Sequence, residues 1–134
     1  MPLTTETTED CLGIVHVGTG TVTGDEFVEA SKASVRLVQS TQNFDYEFVD
    51  LSAATDLREM DDGHLEQITA LDHLAALFRP NAVVIIVAPL DDFFEMGQRW
   101  ERKVQDLGWS THVVRTRPEG LSLVQKHFPL REEA

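Results

Sequence analysis

The sequence predicts a single α/β domain built around a mostly parallel sheet. Three observations point there. Apolar runs rich in β-branched residues alternate four times with segments of helical periodicity. The run at 82–88, AVVIIVA, has no polar side, as a strand covered on both faces requires. With 134 residues, 42% of them hydrophobic and 25% charged, the chain has the size and composition of one compact unit, 1–134. Strands joined by helices imply parallel neighbours with right-handed crossovers, so four βα units and a mixed sheet of four to five strands are expected.

The elements follow in order. Residues 1–10 form an N-terminal tail or an edge strand paired back on the next strand. Residues 11–17 (CLGIVHV) read as that strand, with Cys11 as a small buried hydrophobe. Gly18, Gly20 and Gly24 break it. Thr23 and Glu26 then make a capping box, each side chain satisfying a backbone donor of the other residue. Phe27, Ala30, Ser34, Leu37 and Val38 share one face of the first helix, which ends at the polar turn 41–43.

Residues 44–51 alternate Phe44, Tyr46 and Phe48 with Asp45, Glu47 and Val49. Carboxylates on one side suggest a strand half exposed to water. A looser segment, 52–60, leads to Asp61-Asp62-Gly63. The second helix carries Leu65, Ile68, Leu71, Leu74, Ala75 and Phe78 at three-to-four spacing and stops at Pro80. After the central strand, Asp91 or Asp92 caps a third helix whose apolar face holds Phe93, Met96, Gly97, Trp100, Val104 and Leu107. Gly108 ends it in a left-handed turn. Residues 110–116 form the last strand. Thr116 and Glu119 make a second capping box, opening a short helix lined by Leu121, Val124 and Phe128 and ended by Pro129.

Composition excludes several functions. The net charge of −12 opposes binding to nucleic acid phosphates or an anionic membrane surface. The charge is uneven. Residues 1–95 hold 18 acids against Lys32, Arg36, Arg58 and Arg79, whereas 96–134 carry seven bases against five acids. An acidic face suited to a basic partner is one reading of this asymmetry, and solubility alone is the other. No apolar run approaches the roughly 20 residues of a membrane helix, and no secretory leader is readable. A single cysteine permits no intrachain disulfide, in keeping with a cytoplasmic location.

Motifs for chemistry are sparse. Gly18-x-Gly20-x-x-x-Gly24 misses the dinucleotide fingerprint by one residue and reads better as a tight turn. Asp61 and His64 could share a helical face toward a metal, but no third His or Cys joins them, and acids already suit a helix start. The five histidines show no Ser-His-Asp or Cys-His order, and G-x-S-x-G is absent. No catalytic residue, cofactor or metal is expected. Hydroxyls, acids and Arg117 at the strand ends offer a small polar pocket rather than a reaction centre.

Three stretches resemble the SpoIIAA-like (STAS, STAS/SEC14-like) superfamily of bacterial proteins. They are GTGTVTGDEF before the first helix, Phe48-Val49-Asp50-Leu51-Ser52, and RTRPEGLSLV at 115–124. The resemblance implies a βα superhelix and a non-enzymatic protein-interaction module that binds a protein partner or itself. It places the partner-binding surface on Ser52, Thr55, Asp61, Asp62 and His64. Regulatory relatives carry a phosphorylatable serine in a D-S-S-G turn, whereas this chain has Asp61-Asp62-Gly63 and no Ser or Thr between Asp56 and His64. The serine switch is therefore expected to be absent, with Asp62 supplying a permanent charge. The SEC14-like side of the superfamily implies the alternative, a carrier or sensor of a small apolar ligand using Phe93, Phe94, Met96 and Trp100.

Overall fold

The computed structural model describes residues 2–8, 12–40 and 44–128. Cys11, the turn at 41–43 and the stop at Pro129 lie outside them. The elements are β1 (Leu3–Thr7), β2 (Gly13–Thr23), α1 (Gly24–Ser40), β3 (Tyr46–Arg58), α2 (Asp62–Ala76), β4 (Val83–Val87), α3 (Asp91–Val104), β5 (Ser110–Val114) and α4 (Arg117–His127). A 3₁₀ turn, Gln105–Leu107, closes α3, and Gly108 follows it at φ 83°.

The sheet order is β1-β2-β3-β4-β5. β1 pairs antiparallel with β2 and the other pairs are parallel, so the mixed five-stranded sheet is present. Parallel strands that follow each other in both sequence and space, joined by crossovers of one hand, put every connecting helix on one face. Accordingly α1, α2 and α3 cover the face carrying Leu51, Val84 and Ile86. The last helix is not a crossover. It packs against Phe48, Ile85 and Val87 on the opposite face. Because the order never reverses, the sheet has no switch point, and the crevice expected at the strand ends has no topological cause to form.

Three sequence readings need correction. β2 does not stop at Gly18. It continues beside β3 as a two-stranded parallel extension from Thr19 opposite Ala53 to Thr23 opposite Arg58, with register shifts on both sides of Gly20. Gly20 sits at φ 63°, a conformation only glycine adopts without strain. Likewise, the looser segment after residue 51 is strand through Arg58.

The second correction concerns β3, which is the middle strand of five rather than half exposed. The side bearing Asp45 and Glu47 lies under the helices. Asp45 meets Arg79 at 2.6 Å, and Glu47 meets His16 at 2.6 Å and Ser34 at 3.0 Å. Alternation with carboxylates signals solvent only when no partner arrives from elsewhere in the chain.

Third, Leu90 occupies the N-cap of α3 without a side-chain bond, while Asp91 and Asp92 sit in its first turn. There they face the positive end of the helix dipole.

Other local readings hold. Thr23 and Glu26 bond reciprocally, as do Thr116 and Glu119. β4 is buried along its whole length. On α3 the buried face is Phe93, Gly97, Trp100 and Val104, with Met96 partly buried beside it and Leu107 in the 3₁₀ turn beyond the helix. Leu74 and Leu121, read as inward, are exposed.

Candidate functional site

Two regions collect functional side chains. The first is the corner where α2 begins. Asp61 caps α2, accepting from the backbone N–H of His64 at 2.9 Å. That donor holds the Asp61 carboxyl below its ordinary range, helped by the His64 ring. The two His64 nitrogens face two carboxylates, Nε2 at 2.9 Å from Asp25 and Nδ1 at 2.8 Å from Asp61. The hydrogen bond to Asp25 pushes the imidazole pKa up, against slight burial, with Asp61 adding to it. His64 thus ties the start of α2 to the start of α1. Gly24 permits this approach, since a Cβ there would lie 2.4 Å from the Glu59 carbonyl and 2.7 Å from the His64 ring. Asp62 pairs with Arg99 of α3. That pairing offsets the free charge that a comparison with a phosphate would need.

Between the end of β3, the start of α2 and α3 runs an open groove of about 280 Å³. Glu59, Asp61, Asp92 and Glu95 line it, and Arg99 is the one base among its lining residues. The potential in this groove is therefore negative.

The remaining sequence candidates lie elsewhere. Ser52 donates from Oγ to Asp50 at 2.6 Å, and Asp50 in turn accepts from Arg117 at the start of α4 at 3.0 Å. Thr55 is exposed on the extension of β3. The structure thus brings Asp61, Asp62 and His64 together, with Ser52 held in a separate set of contacts. Of the four ligand candidates, Met96 and Trp100 line a partly open cavity. Phe93 is fully buried and packs against Phe27, and Phe94 carries the Arg115 guanidinium on its ring at 3.8 Å.

That cavity, about 60 Å³, is the second region. It lies between the sheet and α1, α2 and α3, with mostly apolar walls. His16, Glu47 and Asp72 are the titratable groups in its lining, which contains no Lys or Arg. His16 is 2% exposed. Its Nε2 meets both Glu47 and Ser34, and its Nδ1 meets Thr5 at 2.7 Å. Burial pushes the Glu47 carboxyl up, but the bond and charge of His16 and the Ser34 hydroxyl outweigh it and leave the group below its ordinary range. Asp72 accepts from Trp100 Nε1 at 2.6 Å. Its burial, then the charge of Glu47, hold its carboxyl well above the ordinary range despite that bond.

Ser34, His16 and Glu47 invite comparison with a catalytic triad, but the geometry differs. A triad needs the nucleophile and the acid on opposite ring nitrogens. Here both sit on Nε2. Among the described residues no cluster of three or more His, Cys, Asp or Glu could hold a metal ion.

Sequence reasoning missed His16, Ser34, Glu47 and Asp72 as a group, Asp25 as the partner of His64, and Glu59, Glu95 and Arg99 as groove residues. One signal was available. Asp72 falls on the inward stripe of α2 with Leu65, Ile68 and Ala75, where a carboxylate needs a partner.

Comparison with solved structures identifies the architecture. The structure of the anti-sigma factor antagonist SpoIIAA in its unphosphorylated form matches with a TM-score of 0.56, over 92% of this chain and 97% of that one, at 10% identity. The chain has the SpoIIAA fold. The βα arrangement implied by the three sequence stretches agrees with that match. No protein-family model and no curated protein sequence matches the chain. No helix among the described residues is long and apolar enough to cross a membrane.

Proposed function

We propose that this chain is a non-enzymatic, cytoplasmic docking module, and that the acidic groove at the start of α2 receives a basic segment of a partner protein. The observation that carries this reading is the groove itself. It gathers four carboxylates, two from the turn between β3 and α2 and two from α3, around one arginine that Asp62 already engages. Complementary charge of this kind favours a basic partner and speeds its encounter. The SpoIIAA fold supports the reading, since SpoIIAA is an anti-sigma factor antagonist. The chain would do this without a serine switch at the Asp61-Asp62-Gly63 turn, because the turn offers no hydroxyl.

The test is charge reversal. A partner recovered from the native cell by affinity capture is purified and titrated by calorimetry against the wild type and against Asp62→Lys/Glu95→Lys. Loss of about ten-fold or more in affinity, with a salt-dependent wild-type complex, supports the groove. Equal affinities reject it.

A second reading has its own observation. The cavity under α3, with mostly apolar walls that include Met96 and Trp100, favours a small apolar ligand, so the chain would act as its carrier or sensor.

A further inference from the structure

The two edges of the sheet are not alike. β5 is flanked on both faces, by α3, where Glu101 accepts from Thr111 Oγ, and by α4, whose His127 ring stands 5.4 Å from that of His112. β1 has α1 on one face, and α4 packs on β3, β4 and β5 instead. Among the described residues no strand lies beyond β1. The pairing with β2 decides which groups of β1 face outward. Thr19 N–H donates to the Pro2 carbonyl at 2.7 Å, and Thr8 N–H donates to the Gly13 carbonyl at 2.9 Å. Both contacts continue the unbroken β1–β2 register, so Pro2, Thr4, Glu6 and Thr8 turn their backbone groups toward β2. The N–H and C=O groups of Leu3, Thr5 and Thr7 alternate with them and point out of the sheet edge.

Natural sheets blunt such an edge with lysine, proline or a bulge. Leu3–Thr7 contains neither lysine nor proline, and its pairing with β2 shows no register shift. Three of its five residues are threonine, a β-branched residue suited to strands. Glu6 is its one charged residue. The edge is thus a template for a further strand, and its sequence says which strand fits.

We infer that β1 pairs antiparallel with β1 of a second copy of this chain, about a two-fold axis at Thr5, joining the two five-stranded sheets into one. In that register Leu3 faces Thr7 of the second copy, and Thr5 faces Thr5. Each facing pair exchanges both of its N–H···O=C bonds, so every outward group of the two strands is used. Thr4 then faces Glu6 of the second copy in the closer kind of cross-strand pair, where the threonine hydroxyl can donate to the carboxylate. Moving the axis to Glu6 would set two like charges opposite each other. Moving it to Thr4 would put Thr7 beyond the end of the facing strand. The contact is isologous, so it closes at two copies rather than growing into a fibre.

Sedimentation equilibrium of the intact chain tests this, from micromolar to millimolar protein, at physiological salt to screen the net charge of −12. The expected result is a reversible monomer–dimer equilibrium. Thr7 is exposed, and its N–H makes no bond to β2. Thr7→Pro should therefore weaken the dimer by about ten-fold or more and leave the fold of the monomer intact, as read by circular dichroism. Thr4 is exposed as well. Thr4→Lys sets opposite charges across the axis twice and should tighten the dimer by about two- to thirty-fold, whereas Thr4→Glu should loosen it by a similar factor. These two variants decide the matter if Thr7→Pro disturbs β1 itself. Gln125→Lys adds the same charge on the exposed side of α4 and should leave the dimer unchanged. A wild type that stays monomeric over the whole range would overturn the inference. A dimer of unaltered affinity in Thr7→Pro would overturn the edge contact. Equal tightening by Thr4→Lys and Gln125→Lys would overturn the register.

Discussion

Replacing Glu47 with leucine probes the polar centre of the fold most sharply. The substitution removes the one acceptor that His16 Nε2 and Ser34 Oγ share, at 2.6 and 3.0 Å. His16 and Ser34 are both buried, and without Glu47 their side chains keep only each other, at 2.9 Å, and the contact of His16 with Thr5. Taking the acceptor from a buried hydrogen-bonding group costs roughly 1–3 kcal/mol, and Glu47 serves two such groups. Glu47 keeps 19% of its side chain accessible, so the combined loss is about 3 kcal/mol. A domain of this length has a total stability of roughly 7–20 kcal/mol, so the loss is large but not fatal. Urea unfolding followed by tryptophan fluorescence measures it. With an m value of about 2 kcal/mol/M, the midpoint should fall by about 1.5 M. The triple variant His16→Leu/Ser34→Ala/Glu47→Leu removes every member of the network. It should recover most of the loss, since apolar groups of similar volume replace a buried pair at little net cost. A single-variant shift below about 0.3 M would refute the reasoning. So would a triple variant no more stable than the single one.

Asp72 predicts a pH dependence of opposite sign to that of Glu47. Its carboxyl is raised by burial and by Glu47, so its contribution to stability is full below the unfolded pKa and is lost as pH rises through the folded one. Asp72→Asn should therefore gain stability relative to the wild type as pH rises above about 4, and parallel pH profiles from urea titrations would contradict this. The raised His64 imidazole follows the same sign. The tie between α1 and α2 is complete below pH of about 6.5 and weakens as pH passes the folded value. Amide exchange at the starts of both helices, corrected for intrinsic rate, should accelerate over that range in the wild type. In His64→Gln the acceleration should be absent, and an identical response in both proteins would remove His64 from the explanation. Gly120 lets α4 dock, since a Cβ there would lie 2.7 Å from Val87 and 3.0 Å from Phe48. Gly120→Val should cost about 1–3 kcal/mol by overpacking, seen as a lower melting temperature, and an unchanged one would mean that α4 docks differently.

Much of the fold was legible because its determinants are local. The apolar run of β4, the Thr23–Glu26 and Thr116–Glu119 boxes and the left-handed Gly108 are each decided within a few residues. The extension of β2 through Gly18 and Gly20 was not legible. Glycine ordinarily ends a strand, and here the neighbouring strand β3 absorbs two register shifts to keep the pairing. Glu47 and Asp45 read as solvent-facing because their partners, His16 and Arg79, arrive from 31 and 34 residues away. The candidate site shows the same division. Asp61 and His64 stand three apart, so their capping relation could be read from spacing. Arg99 reaches Asp62 from α3, and Asp25 reaches His64 from α1. Those meetings depend on how three helices share one sheet face. Periodicity reports the face of a helix and not the neighbour it meets.

The central claim is that the acidic groove at the start of α2 is where a basic partner docks. Amide hydrogen exchange on the partner complex tests it most directly. The account predicts new protection confined to the groove segments, about Arg58–Glu66 and Asp91–Arg99, with α4 and β5 exchanging as in the free chain. Protection over α4 and β5, with the groove exchanging as before, would contradict it.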